Sequence, residues 1–79
     1  MYIKIDVRKR LIEDWLKKER EYSEISQRIA GIVAQLGDDN IPDAKWAELL
    51  KAIEGLEKML ERVSTFKHDL AKQIAELHA

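Results

Sequence analysis

Histidine is the side chain most often used for metal binding and proton transfer near neutral pH, and this chain of 79 residues has two, His68 and His78. They are too far apart to share a turn of one helix, and neither has a second ligand at metal-binding spacing. Asp38, Asp39, Asn40 and Asp43 gather oxygen ligands in a short stretch. A calcium loop also needs a central Gly and a terminal Glu. Here Leu49 stands where that Glu is required, and the central Gly is missing. Turn formation and helix capping account for the cluster instead. Ser23, Ser26 and Ser64 have no His and carboxylate placed to activate them. With no cysteine, thiolate ligands, thiol catalysis and disulfides are excluded together. Gly31, Gly37 and Gly55 are isolated, so no phosphate-cradling loop exists. The expectation is a chain that is not an enzyme, with no catalytic residues, no metal and no cofactor.

One local feature asks for a partner. Arg8-Lys9-Arg10 falls in the first turn of a helix expected to begin at Val7, where positive charge opposes the helix dipole. Lys17, Lys18 and Arg20 continue it, giving a candidate basic surface for an acidic partner. Glu13, Asp14 and Glu19 are interspersed and aromatic interleaving is lacking, so a protein partner fits better than nucleic acid.

These residues must be positioned by long helices. The chain is 37% charged and 46% hydrophobic, with one Pro and three Gly, a composition typical of extended helical structure. Apolar positions recur at Leu11, Trp15, Tyr22, Ile25, Ile29, Ile32 and Leu36, and the steps alternate four and three once Lys18 is admitted. A second seam runs through Trp46, Leu49, Ile53, Leu56, Leu60, Val63, Leu70, Ile74 and Leu77, with Lys67 as its odd member. This is the heptad period of helices packed along their length. Trp15 and Trp46 are expected to be large core anchors.

Gly37 suits the left-handed position that ends a helix, Asp38 to Ile41 form a turn, and Pro42 suits the first turn of the next helix. Asp6 is placed to cap the first helix. Residues 1–6, with Ile3 and Ile5 alternating against Tyr2 and Lys4, read as an extended arm. The predicted organisation is one all-α domain over 1–79: arm 1–6, helix 7–36, turn 37–41, helix 42–78. A turn this short makes the helices antiparallel neighbours. The register that satisfies both seams sets Ile25 against Ile53, Lys18 against Leu60 and Lys67 against Leu11. A helix-turn-helix around residues 24–36 is excluded, because the helical period runs through it unbroken. The Trp-x-Gly turn of secreted helical hairpins is also absent, Trp46 being followed by Ala47 and Glu48.

Ile12, Leu16, Val33, Leu50, Met59 and Phe66 lie outside both seams. A lone coiled-coil-like hairpin buries one stripe per helix, and a string of wet apolar side chains is a liability in so small a domain. They are the candidate oligomer interface, and a homodimeric four-helix bundle is the simplest arrangement that covers them. Charge gives it a direction. The loop end, residues 21–57, carries three positive and eight negative residues; the open end carries eleven positive and seven negative. A head-to-tail antiparallel dimer sets unlike ends together, although screening weakens each pair.

No apolar run reaches membrane-spanning length, and the first seven residues lack a signal-peptide core. A cytoplasmic protein with no membrane association is expected. The function these features imply is a non-enzymatic homo-oligomeric interaction protein, an adaptor, chaperone or inhibitor acting by surface contact on a protein partner. A small accessory protein of a phage or secretion system fits that description. The alternative is a nucleic-acid-binding four-helix bundle using the basic open end.

Overall fold

The computed structural model describes residues 2–78, with side chains from Asp6 to Leu77, and contains two helices, α1 (Tyr2–Leu36) and α2 (Asp43–His78). They pack on each other along their length as a hairpin. The pairing is antiparallel. Arg28 and Ile32 share a groove with Ala52, Leu56 and Met59, Glu21 and Ile25 share one with Met59 and Val63, and Trp15 and Tyr22 meet Lys67. The expected register is thereby corrected by about one heptad: Ile25 lies beside Met59 and Val63 and not against Ile53, because sliding one helix by about seven residues keeps every seam residue in the seam. The radius of gyration is 18.0 Å, against about 12 Å for a globular chain of this length.

Burial follows the heptad seams. Ile25, Leu49 and Leu70 are buried, and the other seam members, the two lysines included, are half-buried with one exception. Trp46 is 44% exposed rather than a core anchor. It lies in the first turn of α2, in the last layer of the hairpin, where no further turn of α1 extends to cover it. Ile41 and Trp46 instead hold the two positions of a hydrophobic staple around the helix start, and Ile41 is half-buried.

Several local expectations are corrected. The extended arm over 1–6 is not seen; α1 begins at Tyr2, and Met1 lies outside the described residues. An alternating segment needs a neighbouring strand to satisfy its backbone, and no strand exists among the described residues, so the peptide groups are satisfied by continuing the helix. Asp6 is therefore an exposed residue inside α1 and not its cap.

Gly37 does not adopt a left-handed conformation. The end of α1 tightens, with the Gly37 N–H donating to the Ala34 carbonyl at 3.2 Å and the Asp38 N–H to the Gln35 carbonyl at 3.1 Å. These bonds satisfy two of the last carbonyls without a positive φ. Glycine is still favoured there, since a Cβ would stand 3.3 Å from the Ala34 carbonyl oxygen. The turn extends to Pro42, whose carbonyl accepts the Trp46 N–H at 3.0 Å, so Asp43 is the first residue of α2. Asp43 places a carboxylate at the positive end of the helix.

Candidate functional site

The seam carries two lysines, and each is partnered. The Lys67 side chain, 20% exposed, forms an ion pair across the hairpin with Glu19. Its ammonium lies 5.1 Å from the Trp15 ring centroid and 4.7 Å from that of Tyr22. The Lys18 ammonium is 3.1 Å from a Glu21 carboxylate oxygen and 5.1 Å from the Phe66 ring centroid. A cation held over aromatic faces, with its aliphatic stem along the seam, keeps the heptad packing continuous through a polar layer. Both lysines meet residues about one heptad beyond the expected partners, Leu11 and Leu60, as the offset register of the two helices requires.

These pairs define the two flanks of the hairpin. Glu19 directly follows seam residue Lys18 and reaches Lys67 on one flank. Glu21 and Phe66 directly precede seam residues Tyr22 and Lys67, and meet around the Lys18 ammonium on the other. The six helical apolar residues expected to form the oligomer interface are all exposed, and they divide between the flanks. Ile12, Leu16 and Val33 each directly follow a seam residue, so they lie on the Glu19 flank, as does Leu50 of α2. Met59 and Phe66 each directly precede one, on the Glu21 flank. The strongest exposures are 52% at Val33 and 58% at Phe66. Val7, a further exposed residue that the sequence reading missed, belongs with Met59 and Phe66. Its signal was present, since the seam continued back three residues from Leu11 falls on Arg8.

The hairpin exposes 6526 Å². A compact folded chain of 9.2 kDa exposes about 4,900 Å². The excess is of the order that a protomer covers in a stable interface, about 800 Å² or more.

Arg8, Lys9, Arg10, Lys17 and Arg20 are exposed near the open end of α1. Because α1 starts at Tyr2, the cluster lies beyond its first turn, where the dipole has largely faded. Lys18 is half-buried and committed to Glu21 and Phe66, so the structure separates it from the exposed cations. At the other end of the hairpin, the Asn40 N–H donates to Asp38 Oδ1 at 3.0 Å, an Asx turn. His68 is exposed, and the His78 side chain lies outside the described residues. Among the described residues no three His, Asp or Glu side chains come together to hold a metal ion. Among the described residues no helix is long and apolar enough to cross a membrane. Compared with known proteins, the chain matches no family model, no curated protein and no solved structure.

Proposed function

We propose that this chain is a non-enzymatic, homo-oligomeric helical interaction protein that acts by surface contact, as an adaptor, chaperone or inhibitor, from the cytoplasm. In this reading two hairpins associate into a four-helix bundle, and the bundle presents the exposed cations near the start of α1 to an acidic protein partner.

The observation that carries the reading is the exposed apolar side chains on the flanks of a hairpin in which, among the described residues, three core side chains are buried. Each is worth roughly 1.5–3 kcal/mol when fully buried, and a chain of this size has few other sources of stability. Nucleic acid is the weaker partner, because Lys67 and Lys18 are neutralised within the chain and acidic residues interrupt the cations that remain.

Sedimentation velocity and thermal melts across low to high micromolar protein test the reading. A dimer whose melting midpoint rises with concentration is expected, since mass action links assembly to folding. A monomer at high micromolar concentration with a full, concentration-independent cooperative transition sinks it.

A further inference from the structure

We propose that a second copy of this chain docks on the Glu19 flank of α1, helix against helix and antiparallel, about a two-fold axis at Ser23. This rests on the self-association proposed above and specifies its surface and register.

Behind each seam residue of α1 stands a second residue at the same alternating spacing. From Leu11 to Ile32 these followers are Ile12, Leu16, Glu19, Ser23, Ser26, Ala30 and Val33. They form a stripe roughly 30 Å long, at about 1.5 Å per residue. Its one charge, Glu19, is taken up by Lys67 of the same chain. The corresponding followers on α2 include Glu54, Glu57 and Glu61, three acidic positions in succession behind Ile53, Leu56 and Leu60. All three are exposed. Only α1 therefore offers a continuous second surface compatible with burial. The glutamates keep α2 on the outside, so the four helices of the dimer are joined through a central α1 pair and do not share one core equally.

The order of side chains along the stripe identifies the occupant. Two apolar residues, three polar ones and two apolar ones read alike from either end, as an isologous contact requires. Turned about Ser23, Ile12 meets Val33 of the copy, and Leu16 meets Ala30, large against small. Glu19 meets Ser26, whose hydroxyl can donate to the carboxylate, and Ser23 meets its own equivalent. One turn beyond Ile12 the stripe continues with the exposed Lys9, which arrives at the copy's Gly37–Asp38 turn. The register set by packing thus also joins basic start to acidic turn. A parallel pair sets Glu19 against Glu19 and Lys9 against Lys9, so charge selects the antiparallel form.

The test uses single cysteines in the full chain under mild oxidation. A disulfide needs Cα atoms within about 7 Å, so Ser23→Cys should link most molecules into covalent dimers. Ile12→Cys and Val33→Cys should each stay unlinked alone and link on mixing, while Phe66→Cys on the opposite flank stays unlinked. If the wild type sediments as a dimer while Phe66→Cys links and Ser23→Cys does not, this surface is wrong and self-association stands. Self-linking of Ile12→Cys overturns the antiparallel register. A wild type that stays monomeric at high micromolar concentration removes both this inference and the reading beneath it.

Discussion

Lys67 reaches across the hairpin to Glu19 with its ammonium beside the rings of Trp15 and Tyr22. The contact explains how a lysine occupies an otherwise apolar seam. Glu19 is 45% exposed, so screening limits what the ion pair contributes, to about 1 kcal/mol at most. Glu19→Lys should lower the melting midpoint, and adding Lys67→Glu should restore most of the loss. A coupling of about 0.5–1 kcal/mol in the four-member cycle is expected. Lys67→Met keeps the aliphatic stem and should stay within about 1 kcal/mol of the wild type. Strictly additive single changes would show that the pair contributes nothing.

The tryptophans should separate sharply. Trp15 is a half-buried seam residue beside Lys67, whereas Trp46 is 44% exposed at the loop end. Trp15→Ala should cost about 2–3 kcal/mol, below the roughly 3–5 kcal/mol of fully buried aromatics because the side chain is only half-buried. Trp46→Ala should cost about 1 kcal/mol or less. In fluorescence, the variant retaining only Trp46 should emit further to the red and be quenched more readily by acrylamide than the variant retaining only Trp15. Equal quenching of the two overturns the assignment.

What was legible from the sequence was what a period of three and four encodes. The seam, the hairpin, the short turn and the six exposed apolar residues follow from one-dimensional spacing, because a helix converts spacing into a face. The errors lie where a second element decides. Residues 2–6 alternate as a strand does, but alternation makes a strand only beside another strand. Trp46 has the seam's spacing, but lies in the hairpin's last layer. Arg8 to Arg10 oppose a dipole only if the helix starts at Val7, and it starts at Tyr2. Lys67 is recognisable as an exception to the seam, yet its partners depend on the register of the two helices, and a slip of about seven residues leaves every seam residue in the seam, so spacing alone does not fix it.

Gly31 and Gly55 lie inside helices with open space where a Cβ would stand. Glycine in a helix interior is less favourable than alanine by roughly 0.5–1 kcal/mol. Gly31→Ala and Gly55→Ala should each raise the melting midpoint by about 2–8 °C at fixed protein concentration. Gly37→Ala should gain less or lose slightly, since its Cβ would stand 3.3 Å from the Ala34 carbonyl oxygen. Destabilisation by the first two changes would mean that something covers those sites.

The flanks can be told apart by charge insertion. Leu16→Asp and Phe66→Asp both replace exposed apolar side chains, on opposite sides of the hairpin. In an isolated hairpin neither removes buried core, so both should be nearly neutral. With a copy on the Glu19 flank, Leu16→Asp should weaken the dimer at least tenfold and lower the midpoint with it, while Phe66→Asp leaves the dissociation constant within about threefold. Equal weakening by both, measured by sedimentation, places contacts on both flanks and implies a larger oligomer.

The last prediction concerns the basic cluster, whose role turns on where α1 begins. With the helix starting at Tyr2, Arg8, Lys9 and Arg10 no longer sit in its first turn, and replacing them does little to the dipole term. The triple change to Gln should therefore leave the helical content of the hairpin unaltered. Assembly is where the effect should appear. In the antiparallel pair Lys9 and its neighbours adjoin Asp38, Asp39 and Asp43 of the copy, so the triple change should weaken the dimer severalfold, more at low salt than at high. Charge reversal offers the sharper readout. Glu at positions 8–10 should dissociate the dimer, and Lys at positions 38, 39 and 43 in the same chain should restore it, because each end would then meet its new complement. Reversal without rescue, accompanied by loss of binding to an acidic protein partner, would assign the cluster to that partner instead of to assembly. If neither the dimer nor partner binding responds, the cluster is solvated surface and the head-to-tail arrangement loses its electrostatic support.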